Sequence, residues 1–322
     1  MHQHVKEQTK LRKEIKQPLI RINEPNQKIL DDFITESKND GNAVRTSNDK
    51  NKNVRKFIKH LETNNTPITN INEDIINEFI KVIINQKSLT NVLRDCSLLR
   101  VFLRYLFSNG YIKSDYIYLV PKVKRLPKKI PTIWTEHEVN SFLNKAKELA
   151  NSSEIQKRHY AMLLIAARLG LRRCDIINLK FDNIDWQNNS INIIQLKTKA
   201  PLTVPLTKEV GWAIIEYIKN GRPKSESKYI FVKHQPPFDK LTSPSFPIKN
   251  IADKAGVELN NKNKKGIHSF RFSLATRMLN KQIPMDIISS VLGHTSLNST
   301  NIYLRIDCQN LRSCCLEVSN DF

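Results

Sequence analysis

A short stretch near the C-terminus holds two histidines, an arginine and a tyrosine at spacings that suit chemistry on an anion. His268 and Arg271 lie three residues apart at the start of an apolar helical pattern, so one helix face can carry both. His294 ends the sequence Leu-Gly-His, and Tyr303 follows nine residues later. Arginine holds anions through paired N–H donors, histidine transfers protons near neutral pH, and tyrosine can serve as a nucleophile. The stretch therefore predicts a site that binds an anion and attacks it.

Further candidates lie upstream. Arg172 follows a Gly-Leu turn at the end of an apolar helical pattern, and Asp175 comes three residues later. Lys197 and Lys199 stand in a Lys-Thr-Lys sequence between two runs rich in β-branched residues, which predicts a hairpin with lysines at its tip. Taken singly, each has an ordinary structural explanation, because such residues commonly cap helices or lie in solvent. Only the whole set, in its order along the chain, indicates a shared role.

The composition favours a polyanionic partner. The chain has 322 residues, enough for two domains with separate cores, and it carries a formal net charge of +21 with a pI near 9.8. A basic protein gains affinity for nucleic acid by releasing condensed counterions. The alternative is a merely basic surface that reflects biased codon usage.

The cysteines and the hydropathy exclude several classes. The five cysteines include no pair at the C-x2-C spacing of a zinc site, and the odd count argues against a disulfide framework. No glycine-rich phosphate loop is present, and no run approaches the ~18 apolar residues of a membrane span. We expect a reduced cytoplasmic protein with no metal, no nucleotide cofactor and no membrane association.

The N-terminal part predicts a mobile basic arm over residues 1–22 and a helical domain over residues 23–120. Its amphipathic patterns place one apolar stripe on each of four helices, including Leu30, Phe33, Val54, Phe57, Ile76, Phe79, Leu99 and Leu103. Basic residues fall on the opposite faces of two helices, namely Lys52, Arg55, Lys56, Lys59, Arg94, Arg100 and Arg104. These faces predict either solvated surface or contacts with phosphate.

A basic, proline-rich linker is predicted over residues 121–132, and a second domain over residues 133–322. Thr135 and the acids that follow it predict the start of a helix. Strand patterns over residues 190–196 and 202–206 are flanked by helical patterns. The fold class expected is mainly α with a small β-sheet or hairpin.

In order and in flanking sequence, the candidate set resembles the tyrosine recombinase (phage integrase) family. GLRRCDIINLKFDNIDW is similar to the family's first arginine box, and HSFRFSLATRMLN with VLGHTSLNSTNIYL is similar to its second. SLLRVFLRYLFSNGYI resembles the last main helix of the family's core-binding domain, and EYIKNGRPKS resembles tracts of transposon-borne members. The resemblance covers about residues 25–310. It implies a helical, SAM-like core-binding domain and a mixed α/β catalytic domain with a C-terminal tail helix.

The resemblance also implies a reaction. Tyr303 would attack a DNA phosphodiester and form a 3′-phosphotyrosyl bond, while Arg172 and Arg271 clamp the phosphate oxygens. Lys197 would protonate the leaving 5′ oxygen, and Lys199 competes for this role.

The remaining roles follow from the same resemblance. His268 would assist proton transfer at the tyrosine, and His294 would hydrogen-bond the phosphate. Asp175 matches a family acid that orients a neighbouring side chain, with helix capping as the alternative. The partner implied is double-stranded DNA, bound by a homotetramer on two sites. Two alternatives stay open: a type IB-like topoisomerase, and a sequence-specific DNA-binding protein without catalysis.

Overall fold

The computed structural model describes residues 20–86, 88–122, 133–242, 246–259 and 266–294. The chain divides into two compact units, residues 1–128 and 129–322. Most of the predicted arm and linker, Tyr303 and the predicted tail helix lie outside the described residues. Among the helices that are described, none combines the length and apolar character needed to cross a membrane.

The first unit is helical. Its four α-helices are α1 (Glu24–Asn39), α2 (Val44–Thr63), α3 (Glu73–Gln86) and α4 (Leu89–Ser108), and short 3-10 turns span Ile68–Asn70 and Ile117–Leu119. The predicted apolar stripes are confirmed, because they meet in one buried core. Phe33 and Phe57 both contact Phe102 edge-on, at ring-centroid distances of 5.2 and 6.4 Å.

One prediction for the basic faces is wrong. Arg55 is buried rather than on the free face of α2, because its guanidinium ties this helix to the start of the unit. Its Nη1 donates to the Gln27 side chain at 2.8 Å and to the Ile20 carbonyl at 3.2 Å. Arg100 likewise donates to the Pro121 carbonyl at 2.8 Å. Lys52, Lys59 and Arg104 remain exposed, as the pattern predicts.

The second unit is mixed. Its α-helices are α5 (Glu136–Ala150), α6 (Glu154–Leu169), α7 (Arg173–Ile177), α8 (Lys208–Asn220), α9 (Ile248–Lys254), α10 (His268–Asn280) and α11 (Met285–Leu292). A three-stranded antiparallel sheet, in the order β1 (Ile184–Asp185), β2 (Ser190–Ile194) and β3 (Pro201–Pro205), lies between α7 and α8 in sequence. The expected fold class is confirmed, although β1 was not predicted, the first predicted strand is two residues shorter and the second is shifted by one residue.

Helix α6 is the centre of this unit. It packs against α5, α8 and α10, and it is apolar on nearly all sides because it has neighbours on nearly all sides. Gly170 ends the helix in a left-handed conformation, with φ +64°. The packing of this helix therefore fixes the position of the Gly170-Leu171-Arg172 turn that follows it.

Trp134 ties the start of the second unit to α10. Its indole N–H donates to the Ser269 hydroxyl at 2.7 Å, and its backbone N–H donates to the Ser273 hydroxyl at 2.8 Å. The fully buried ring stacks on Phe270 at a centroid distance of 4.8 Å. The next residue, Thr135, forms the predicted capping box at the start of α5. Helix α10, which carries His268 and Arg271, is thus fixed at its first turns.

Candidate active site

The candidate site is built around the turn that ends α11. Gly293 adopts a left-handed conformation, with φ +61°, and the His294 N–H returns to the Ser289 carbonyl at 2.9 Å. The turn leaves the carbonyl groups of Leu292 and Gly293 facing other elements. These oxygens lie at the negative end of the helix dipole, where positively charged groups are stabilised.

Both predicted arginines bind this turn. The Arg271 side chain is buried, and it donates from Nη1 to the Gly170 carbonyl at 2.7 Å and from Nη2 to the Leu292 carbonyl. Arg172 donates from Nη2 to the Gly293 carbonyl at 3.1 Å, across 121 residues of sequence. The first and second arginine boxes therefore converge on one turn.

Arg172 also has an unused donor. Its Nη1 is buried and has no hydrogen-bond partner among the described residues. A buried donor without an acceptor costs free energy unless a ligand supplies the acceptor. An anion at this position would meet that need, because guanidinium binds oxyanions through adjacent N–H groups.

Two glycines are required by close packing as well as by backbone conformation. A Cβ at Gly293 would lie 2.2 Å from Nε2 of Gln195, and a Cβ at Gly170 would lie 2.9 Å from methyl groups of Leu274 and Leu292. Both positions also have positive φ, which disfavours other residues. The glycines of the Gly-Leu-Arg and Leu-Gly-His sequences thus allow the boxes to approach each other.

The predicted lysine hairpin reaches the same place. The pair of Gln195 and Ala200 closes it, with a hydrogen bond of 2.9 Å from the Gln195 N–H to the Ala200 carbonyl. The Leu196 N–H donates to the Asp175 carboxylate at 2.9 Å, immediately before Lys197. Asp175 is buried, and it holds the base of the hairpin. Lys197 and Lys199 are both exposed, and Lys199 has a positive φ of 60°.

Both histidines of the site have lowered pKa values, because they are partly buried near positive charges. Partial burial and the positive charges of Arg271 and Arg172 lower the pKa of His294 to about 4. The pKa of His268 is lowered by partial burial and by the charges of Arg271, Arg172 and Lys197, in that order. Both imidazoles are therefore neutral at pH 7 in the free protein, in a setting that is strongly positive.

The structure thus gathers most of the predicted set. Arg172 and Arg271 bind the turn that precedes His294, and the charges of Arg271, Arg172 and Lys197 act on His268. Asp175 binds the hairpin backbone directly before Lys197. Tyr303, the predicted nucleophile, lies outside the described residues. Across the described ranges, no three His, Cys, Asp or Glu side chains are grouped as a metal site.

Sequence reasoning missed Gln195. Its side chain is fully buried, donates from Nε2 to the Leu292 carbonyl at 3.4 Å and accepts from the Thr198 hydroxyl at 2.6 Å. A signal was present, because Ile191, Ile193 and Gln195 alternate along the inward face of the hairpin strand. A polar residue at an inward position must find hydrogen-bond partners, and this requirement marks it for attention.

Comparison with known proteins gives consistent matches. The sequence matches the model of the phage integrase family over residues 133–310. A putative integrase/recombinase of Sinorhizobium fredii is 35% identical over 161 residues, which make up 50% of this chain and 83% of the relative. A tyrosine recombinase of Thermosipho africanus is 30% identical over 266 residues, 79% of this chain and 86% of the relative. The chain spans 50% and 58% of the length of two further putative integrase/recombinases of Sinorhizobium fredii.

The fold is shared with a solved structure. The crystal structure of the XerH site-specific recombinase bound to palindromic difH substrate, a post-cleavage complex, superposes with a TM-score of 0.69. It covers 88% of this chain and 82% of its own, at 22% sequence identity. At that identity the likeness concerns the fold.

Proposed function

The chain belongs to the phage integrase family, and from that membership we propose that it is a site-specific DNA recombinase. It cleaves and rejoins DNA strands through a 3′-phosphotyrosyl intermediate. The observation that carries the proposal is that Arg172 and Arg271 both bind the Leu292–Gly293 turn, directly before His294, with a buried donor of Arg172 left open. Such a cluster suits a single phosphodiester.

Phosphate binding is the first step. The negative charge of a phosphodiester repels a nucleophile, and the guanidiniums of Arg172 and Arg271 offset that charge at the nonbridging oxygens. Hydrogen bonds to the carbonyl groups of Gly293 and Gly170 hold the two side chains in place before DNA binds, so little reorganisation is needed during the reaction. His294, half-buried beside them, adds a hydrogen bond to the phosphate.

Transesterification follows. The phenolic oxygen of Tyr303 forms a bond to phosphorus as the bond from phosphorus to the 5′ oxygen breaks. The phenol proton leaves by way of His268, which is neutral at pH 7 because of its lowered pKa. The Lys197 ammonium gives a proton to the leaving 5′ oxygen. The phosphotyrosyl bond conserves the free energy of the phosphodiester, so the reaction needs neither a metal ion nor a nucleotide cofactor.

Lys197 is favoured over Lys199 for the leaving-group role. Its charge acts on His268, whereas Lys199 lies two residues further along the hairpin in a left-handed turn position. The hydrogen bond from the Leu196 N–H to the Asp175 carboxylate fixes the residue directly before Lys197. Lys197→Ala is expected to lose cleavage, and Lys199→Ala is expected to keep it.

The remaining parts follow from the family. We assign residues 1–22 as a basic arm, residues 23–120 as the core-binding DNA domain, residues 121–132 as a linker and residues 133–322 as the catalytic domain with its tail helix. The partner is double-stranded DNA in the cytoplasm, and the active assembly is a homotetramer on two sites. The tract EYIKNGRPKS, which resembles tracts of transposon-borne members, supports a recombinase carried by a mobile element.

The proposal is tested by trapping the protein on nicked duplexes, selected for binding from a randomised pool. A nick beside the cleaved bond lets the short 5′ product diffuse away, so the covalent complex accumulates. We expect an adduct that survives denaturation, forms in EDTA and is absent from Tyr303→Phe. Cleavage that persists in Tyr303→Phe, or that EDTA abolishes, contradicts the proposal. Joined products from two duplexes distinguish recombination from simple relaxation by a topoisomerase.

A further inference from the structure

Gln195 joins the hairpin that carries Lys197 to the turn that holds both arginines. Its Nε2 donates to the Leu292 carbonyl, which also accepts from Arg271. Its amide lies against the α-carbon of Gly293, where even a methyl group would not fit. The contact joins two segments 97 residues apart in sequence.

The orientation of the amide is fixed from the other side. The Thr198 hydroxyl donates to Oε1 of Gln195 at 2.6 Å, which leaves Nε2 to face the Leu292 carbonyl. The opposite orientation would place Oε1 against the Leu292 carbonyl oxygen and lose that hydrogen bond. Because the side chain is fully buried, an unmet amide group would be costly.

Asp175 and Gln195 hold two sides of the same hairpin base. Asp175 binds the Leu196 N–H from the first arginine box, and Gln195 binds Leu292 from the second. Lys197 follows directly and is itself exposed, so its base is fixed while its side chain can move. A general acid must reach the leaving oxygen within hydrogen-bond distance, which makes the position of this base important.

We propose that Gln195 is a positioning residue that sets the distance from Lys197 to the phosphate held by Arg172 and Arg271. This inference rests on the proposed function, because it assumes that Lys197 protonates the leaving 5′ oxygen. Gln195 acts through Lys197, and its loss slows only the step that needs the proton.

The test uses Gln195→Met, which keeps the length of the side chain and removes both amide contacts. Cleavage is measured on two otherwise identical nicked duplexes, one with a normal 5′ oxygen at the broken bond and one with sulfur in its place. A thiol has a pKa of about 8.5, so the thiolate leaves without protonation and the sulfur substrate does not need a general acid. We expect cleavage of the oxygen substrate to slow by about 100-fold. Cleavage of the sulfur substrate should stay within about 3-fold of the wild-type rate, because the phosphate clamp is intact.

Two variants calibrate the measurement. Lys197→Ala should show the same selective defect, more severely, and Gln187→Met changes an exposed glutamine of the same unit and should cleave both substrates normally. If Gln195→Met does not fold, Thr198→Val carries the test, because it removes the hydroxyl that orients the amide at nearly constant volume. It should show the same selective loss to a smaller degree.

Each outcome is decisive. Equal slowing on both substrates, or wild-type rates on both, overturns the role of Gln195. A Lys197→Ala defect that sulfur does not relieve contradicts the proposed mechanism itself. A wild-type protein that forms no Tyr303-dependent adduct contradicts the proposed function, independently of Gln195.

Discussion

The guanidinium of Arg172 combines a fixed nitrogen with an open one. Nη2 is held by the Gly293 carbonyl at 3.1 Å, whereas Nη1 is buried without a described acceptor. The fixed bond orients the group, and the open donor is available to a phosphate. Arg172 is therefore suited to stabilise the transition state of cleavage more than to contribute to overall DNA affinity.

Arg172→Ala is expected to separate cleavage from binding. Loss of one well-placed donor to the phosphate should slow cleavage by about 100- to 1,000-fold. DNA affinity should change by only a few fold, because a chain of net charge +21 contacts many phosphates. Adduct formation and equilibrium binding measure the two effects, and Arg173→Ala, at the exposed neighbouring residue, is the control. Loss of both activities together would point to misfolding instead.

The pKa of His294 provides a second test at the same scale. It is lowered to about 4 by partial burial and by two arginines, so the imidazole is neutral in the free protein. A bound phosphodiester brings negative charge beside it and should raise this pKa toward its ordinary value of about 6.5. By linkage, DNA binding should take up protons and tighten as the pH falls from about 6.5 toward 4.

Histidine resonances followed by NMR against pH, with and without DNA, measure this shift in Tyr303→Phe. His159 is the internal control, because its pKa is also lowered to about 4 but by burial, Arg158 and His234. An unchanged His294 pKa on binding, or an equal change at His159, would contradict the placement of the phosphate.

At the scale of elements, the end of α11 organises the site. The carbonyl groups of Leu292, its last residue, and of Gly293, the next one, accept from Arg271, Arg172 and Gln195, and His294 follows directly. This arrangement depends on the close approach of Gly293 to the hairpin. The packing of Gly293 therefore affects the positions of the Arg172, Arg271 and Gln195 side chains.

Gly293→Ala should be more destabilising than Gly256→Ala. Both glycines have positive φ, at +61° and +67°, so alanine costs about 1 to 2 kcal/mol at either. Only at Gly293 would the new methyl group meet a buried side chain, which adds about 1 to 3 kcal/mol. Urea unfolding of the two variants measures the difference. Equal losses of unfolding free energy would show that Gln195 does not pack against this position.

The elements themselves were largely predictable from the sequence, because their signals are local. The apolar stripes of α1 to α4 and the cap at Thr135 are confirmed, as is the hairpin with Lys197 at its tip. The stop of α4 before Gly110 is confirmed as well. Each of these depends on residues close together along the chain.

The partners within the site could not be predicted in the same way. Arg172 and Gly293 are 121 residues apart, and Gln195 and Leu292 are 97 apart. Backbone carbonyl groups have no sequence signature, so the turn that binds the arginines was not visible. Arg55 was misassigned for a related reason, because its acceptors belong to other segments of the unit. Family resemblance supplied the set of residues, and the structure supplied their connections.

At the scale of the whole molecule, the charge predicts how binding depends on salt. The logarithm of the DNA association constant should fall with the logarithm of salt concentration by about 0.9 per phosphate contacted. If the exposed faces of α2 and α4 bind the DNA backbone, Lys52→Ala with Arg104→Ala should reduce the slope by about 0.9 for each phosphate that is no longer neutralised. Lys28→Ala with Lys38→Ala, exposed residues of α1, is the matched control. Equal slopes for the two double variants would remove α2 and α4 from the DNA interface.

The most direct test of the central claim is to identify the residue bonded to DNA. The trapped adduct would be digested with protease and nuclease, and the nucleotide-bearing peptide sequenced by mass spectrometry. The account predicts a nucleotide joined through its 3′ phosphate to the phenolic oxygen of Tyr303, in the peptide that contains Asn-Ile-Tyr-Leu. A nucleotide joined to any other residue, or joined through its 5′ phosphate, would contradict it.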